Sequence, residues 1–214
     1  MRQKNLEDAR GSLKAIEGEL QSVLERRERI LKNSRDAILA SSRAIIAAHA
    51  GKLKDAKEEI ESAERVLGGI RKDGGGSLAR YLISPEAEFV EASAVFALVR
   101  GKAVPGARSL RVSPEAYLLG LLDTVGELKR LLLVSLTKGR VKDAGRYFEE
   151  METLYAMLSS FAVFDNVVNG VRRKIDVARM ITEDTRGVLA EEARRESLLS
   201  SMEKLRRSMQ DGRD

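Results

Sequence analysis

The sequence predicts an all-α protein, a single-domain bundle of six to seven helices with a long N-terminal helix. Three observations carry this. Proline is absent from residues 1–84 and again from 115–214. Those stretches are rich in Ala, Leu, Glu, Lys and Arg, the side chains that lose least on entering a helix. Apolar residues recur there every three or four positions, the helical period. No strand is expected. Phe96 to Val99 comes nearest to one, and it continues a helical pattern.

The elements follow in order. From Leu13 to His49 the apolar positions are Leu13, Ile16, Leu20, Val23 or Leu24, Ile30 or Leu31, Ile38 and Ile45, and the run ends near Gly51. A second helix spans about Leu53 to Ile70 and gives way to a loop containing Gly74-Gly75-Gly76. Two further helices begin almost identically, with Ser84-Pro85-Glu86-Ala87 and Ser113-Pro114-Glu115-Ala116. In each, serine is placed to cap an orphan amide, proline loses nothing at the first helical position, and glutamate meets the positive end of the dipole. The first is expected to run to about Arg100 and the second to about Lys138, with Gly101 to Gly106 breaking the pattern between them. Helices over Val141 to Ser160 and about Phe164 to Leu189 follow, and 192–214 is expected as a charged C-terminal helix or tail. No internal repeat of solenoid length is present, so 1–214 is expected as one domain.

Composition excludes several function classes. The 214 residues include no cysteine and one histidine, His49, which removes disulfide scaffolds, zinc-cysteine sites and thiol nucleophiles. The longest apolar runs, such as Leu131 to Val134, fall far short of the roughly 20 residues of a membrane span. The charged N-terminus lacks a signal-like apolar segment, so a cytoplasmic protein with no membrane partner is expected. A net charge of +5 is a mild excess, and 4% aromatic residues argue against a base-stacking platform.

The chemistry-bearing signal is acidic. The segment Tyr117 to Val134 is apolar nearly all round, yet Asp123 and Glu127 interrupt it one helical turn apart. The preceding helix carries Glu88 and Glu91 among small and apolar residues. Helices that start alike across a turn-rich connector can pack as an antiparallel αα-hairpin, which permits the four carboxylates to cluster. Oxygen-only donors suit a hard cation such as Mg²⁺ or Mn²⁺, used to activate water and neutralise phosphate in phosphodiester hydrolysis. A di-iron bundle would need Glu-x-x-His, and none occurs. Carboxylates at helical spacing more commonly make surface ion pairs. That is the expectation for Glu86, Glu115, Glu149 and Glu150, and Glu127 with Arg130 is open to the same reading.

Basic residues recur on the long first helix (Arg29, Lys32, Arg35, Arg43) and cluster on a late one (Arg172, Arg173, Lys174, Arg179). Such residues hold phosphates without reading bases, or else form solvated faces. His49 is expected at a helix C-terminus, Met151, Met157 and Met180 as core filling, and Gly74 to Gly76 as a loop without the Lys-Ser/Thr of a P-loop.

Three pieces in order, Glu88-Phe-Val-Glu91, Arg111-Val-Ser-Pro-Glu-Ala-Tyr-Leu-Leu-Gly120 and Leu122-Asp-Thr-Val-Gly-Glu-Leu128, resemble the translin family, specifically its translin-associated factor X branch. The resemblance extends more loosely over most of the chain, including Arg29 to Arg35 and Phe164 to Arg179. It implies a Mg²⁺-dependent endoribonuclease acting on single-stranded RNA, with Glu88, Glu91, Asp123 and Glu127 holding the ion or the attacking water. The long insert of eukaryotic factor X is missing, which resembles the archaeal type. That type implies a homo-oligomer, an octameric shell with the acids facing an enclosed cavity. The alternative is a non-catalytic oligomer of translin type that binds single-stranded RNA or single-stranded DNA. A third reading is a helical scaffold assembled through the long first helix.

Overall fold

The computed structural model describes residues 6–211, with side chains through 210. The α-helices are α1 (Glu7–His49), α2 (Leu53–Ile70), α3 (Ile83–Val99), α4 (Ala107–Leu110), α5 (Pro114–Thr137), α6 (Val141–Ser159) and α7 (Val171–Asp211). Short 3-10 segments cover Gly76–Tyr81 and Ser160–Phe164, and no strand occurs among the described residues. The predicted all-α class and its long N-terminal helix are borne out. The chain forms two compact units, 1–121 and 122–214.

In the first unit α1 packs on α2 and α3, and α2 packs on α3. The buried face of α1 is mostly small: Ala37, Ala40, Ser41, Ala44, Ile45 and Ala48. Small side chains let partner helices approach closely, and Phe89, Val90, Val95, Leu67 and Ile70 fill the space between. Burial on α1 begins at Ile30, whereas residues 6–22 are exposed. α1 ends on His49, as expected, and Gly51 turns the chain with φ 73°.

The two look-alike helix starts behave differently. Ser113 caps α5, its Oγ accepting a hydrogen bond from the Ala116 amide at 3.2 Å. α3 instead begins at Ile83, one residue before Ser84, and no side chain caps it. Ser84 and Pro85 therefore lie inside the first turn. Glu86, expected in a surface pair, is 4% exposed. Its Oε1 accepts from Arg71 Nε at 3.0 Å and its Oε2 from the Ser113 amide at 3.0 Å. Arg71 also donates to the Leu110 carbonyl at 3.2 Å. Removing one member of such a pair strands a buried charge, which costs about 3–5 kcal/mol. The pair ties α2, α3 and the α4–α5 junction together.

These bonds also correct the expected antiparallel hairpin. Glu86 near the start of α3 bonds Ser113 at the start of α5, and Gly120 packs against Ala87 and Val90. α5 thus sets out from the end where α3 begins, and the connector 100–113 returns the chain along α3 to reach it.

In the second unit, α5 buries Leu122, Val125, Leu128, Leu131 and Leu132. α6 buries Ala144, Tyr147, Met151, Leu154 and Leu158, and packs on α7. Buried positions on α7, namely Val171, Ile175, Ala178, Thr182 and Thr185, keep helical spacing and stop there. α7 begins later than Phe164: a 3-10 segment and a turn intervene, and Asp165 Oδ1 accepts from the Arg172 amide at 3.0 Å. The expected break near Leu189 is absent, since α7 continues through 192 to Asp211; residues 212–214 lie outside the described residues. Met151 is core, but Met157 and Met180 are 60% and 58% exposed, on faces turned away from the α6–α7 contact.

Candidate carboxylate and basic site

Asp123 is half-buried on α5, in the second unit. Its Oδ1 is bonded by the ammonium of Lys174, four residues into α7. Sequence reasoning singled out both residues, one as an acid ligand and one as a phosphate contact, without pairing them. They line a cavity of about 440 Å³ together with Leu122, Gly126, Arg173 and Val177. Glycine at 126 keeps the α5 wall of this cavity open. Apolar groups on its walls weaken the competition of water for any charge held inside.

Glu127 is half-buried one turn beyond Asp123, with Arg130 Nη1 3.7 Å from its Oε2. Glu88 and Glu91 are half-buried on α3, in the first unit. Oxygen-only carboxylates fit Mg²⁺ or Mn²⁺ by donor chemistry. Among the described residues no three His, Cys, Asp or Glu are gathered as a preformed metal cage. Asp123 already carries an ammonium, so the fit to a divalent ion requires that partner to move.

The basic residues divide. Arg29 is committed to Asp73 through two bonds of 3.1 Å, which hold the Asp73 carboxyl below its ordinary range and the Arg29 guanidinium above its own. Lys32, Arg35 and Arg43 are exposed on α1. Arg172 and Arg173 are exposed beside Lys174, and Arg173 shares its cavity. Arg179 lies 3.9 Å from Asp176 and faces a hollow of about 290 Å³ lined also by Glu152, Glu183 and Arg186. Of this late cluster, Lys174 and Arg173 stand with an acid in one cavity.

A further basic group escaped sequence reasoning. Arg27 Nε and Arg80 Nη2 both donate to the Tyr81 hydroxyl, at 3.0 and 3.1 Å, and both guanidinium groups lie over its ring. Chiefly through the Arg27 bond, the phenol is held below its ordinary pKa. The adjacent Arg80-Tyr81 pair was the available signal, but Arg27 is distant in sequence.

The fold is that of an all-α protein of translin architecture. A structure described as AfC3PO in complex with duplex RNA shares it with a TM-score of 0.76 and 30% identity, over 84% of this chain and 95% of that one. The crystal structure of AfC3PO alone matches with a TM-score of 0.71 and 31% identity, over 87% and 96%. Apo-NeC3PO matches in fold, with a TM-score of 0.73 at 22% identity, over 83% and 95%. The Translin family model matches residues 76–181. An uncharacterized protein of Methanocaldococcus jannaschii is 33% identical over 166 residues, 75% of this chain and 73% of the relative. The chain belongs to the Translin family, as its motifs led us to expect. No helix among the described residues is long and apolar enough to cross a membrane.

Proposed function

We propose that this protein is a Mg²⁺-dependent endoribonuclease of single-stranded RNA that works as a homo-oligomer, an octameric shell. The observation that carries the reading is Asp123, a half-buried carboxylate in a cavity whose other charged lining groups are Lys174 and Arg173. An acid for metal or water and two cations for phosphate are the groups that phosphodiester hydrolysis needs within reach of one another. Glu88, Glu91, Asp123 and Glu127 would hold Mg²⁺ or Mn²⁺, which supplies a polarised water and neutralises the attacked phosphate. Lys174 and Arg173 orient the phosphate, while the exposed Lys32, Arg35, Arg43 and Arg172 supply sequence-independent affinity. AfC3PO with duplex RNA supports RNA as the ligand class.

A second reading, a non-catalytic binder of single-stranded RNA or DNA, is favoured by the ammonium already neutralising Asp123. The test is cleavage of labelled single-stranded and duplex RNA with and without Mg²⁺, alongside binding at several salt concentrations. Wild type is expected to cleave only with the ion. Glu91→Gln and Asp123→Asn are expected to lose at least a hundredfold in rate and keep binding, which should weaken steeply with salt. Binding without cleavage under any divalent ion leaves the second reading. Absence of RNA binding leaves the scaffold.

A further inference from the structure

Lys174 is the fourth residue of α7, and Asp123 lies on α5 in the same compact unit. Their ion pair is neither sealed nor free, because the side chains keep 37% and 34% of their surface exposed. Two consequences follow from that intermediate position. The pair is dry enough for the ammonium to be a real competitor for the carboxylate oxygens. It is also open enough for the flexible four-carbon stem of lysine to swing away, with the cavity beside it giving the ammonium somewhere to go.

A divalent ion and an ammonium seek the same lone pairs of Asp123, and two cations on one carboxylate oxygen repel. We propose that Lys174 is the resident counterion of Asp123 and must be displaced before a divalent ion binds there. This rests on the reading of Asp123 as a metal ligand. Lys174 is then a positioning residue: its ion pair holds the Asp123 carboxylate in place while no metal is bound. Once displaced, its ammonium stands beside Arg173 in the cavity, where a phosphodiester would meet both. A phosphate that draws Lys174 away frees Asp123, so RNA and metal each favour the other's binding, and by linkage the coupling is reciprocal.

Metal binding tests this without any cleavage. Mn²⁺ is titrated into the full chain in the absence of RNA, free ion being read by electron paramagnetic resonance. Lys174→Met is expected to bind Mn²⁺ at least tenfold tighter than wild type, and Lys174→Met combined with Asp123→Asn to lose that gain. In wild type, saturating Mn²⁺ is expected to raise acetylation of Lys174 by an amine reagent, measured by peptide mass spectrometry, at least threefold over the metal-free protein. This second readout holds even where Lys174→Met fails to fold. Equal Mn²⁺ affinity with and without Lys174, or unchanged Lys174 reactivity in the presence of bound Mn²⁺, overturns the inference and leaves the metal site standing. No Mn²⁺ bound to any folded variant at millimolar concentration removes the metal reading itself.

Discussion

Glu150 shows how local surroundings change what a carboxylate contributes. It lies one turn from Arg146, whose Nη1 is 2.8 Å from its Oε1, and in sequence the two make an ordinary surface pair. The structure half-buries Glu150 and leaves its Oε2 without a hydrogen-bond partner. Burial therefore raises its pKa by more than Arg146 lowers it. For an acid whose folded pKa is raised, the stabilising contribution is full below the unfolded value of 4.5 and is lost as pH rises through the folded value. Thermal melts of wild type and Glu150→Gln from neutral pH down to about 4.5 test this. The wild-type melting temperature is expected to gain on the variant's as pH falls, and parallel curves would contradict the assignment. Here and at Glu86 the sequence showed an acid at helical spacing, while burial was settled by chain far away. Asp123 was legible because its immediate neighbours are apolar. Its partner was not, since 51 positions separate it from Lys174.

At the scale of the element, period and punctuation were largely legible. α2, α5 and α6 fall within a residue or so of their expected bounds, since proline, glycine and apolar spacing act locally. What failed were features decided by neighbours. Ser113 caps α5 and Ser84 does not cap α3, although the two phrases match, because α3 starts one residue earlier. The relation of α3 to α5 also inverted the hairpin expectation, the buried Glu86–Arg71 pair holding both helix starts at one end. Gly120 is the contact point. A Cβ there would lie 2.3 Å from the Ala87 carbonyl oxygen and 2.7 Å from Val90 Cβ. Backbone cannot yield as a flexible side chain does, so Gly120→Ala is expected to cost about 1–3 kcal/mol in urea unfolding. Gly126, on the same helix, has open space around its Cβ position. Gly126→Ala is expected to leave stability unchanged or raise it by about 0.5–1 kcal/mol through helix propensity. Equal effects at the two glycines would remove the close-approach account.

For the molecule as a whole, two apolar stripes stand exposed. On α1 they are Leu13, Ile16, Leu20 and Leu24, with Leu6 just before its first residue, and on α7 Leu198, Met202, Leu205 and Met209. The α1 positions approach the heptad spacing of a helical seam, and each stripe leaves large side chains facing water. A homo-oligomer that covers them is the assembly we expect. Leu13→Lys with Leu20→Lys is accordingly expected to lower the solution mass by light scattering while leaving the first unit folded. An unchanged mass would assign that stripe another role.

The length of α7 carries a further implication. Its 41 residues extend about 60 Å at the usual helical rise, yet among the described residues no buried one follows Thr185. A solitary helical arm of that kind is marginal in water, because nucleation and fraying are not repaid by contacts. The far end of α7 therefore owes its order to whatever lies beside it. Ellipticity at 222 nm, followed as the protein is diluted, reports on association without any label.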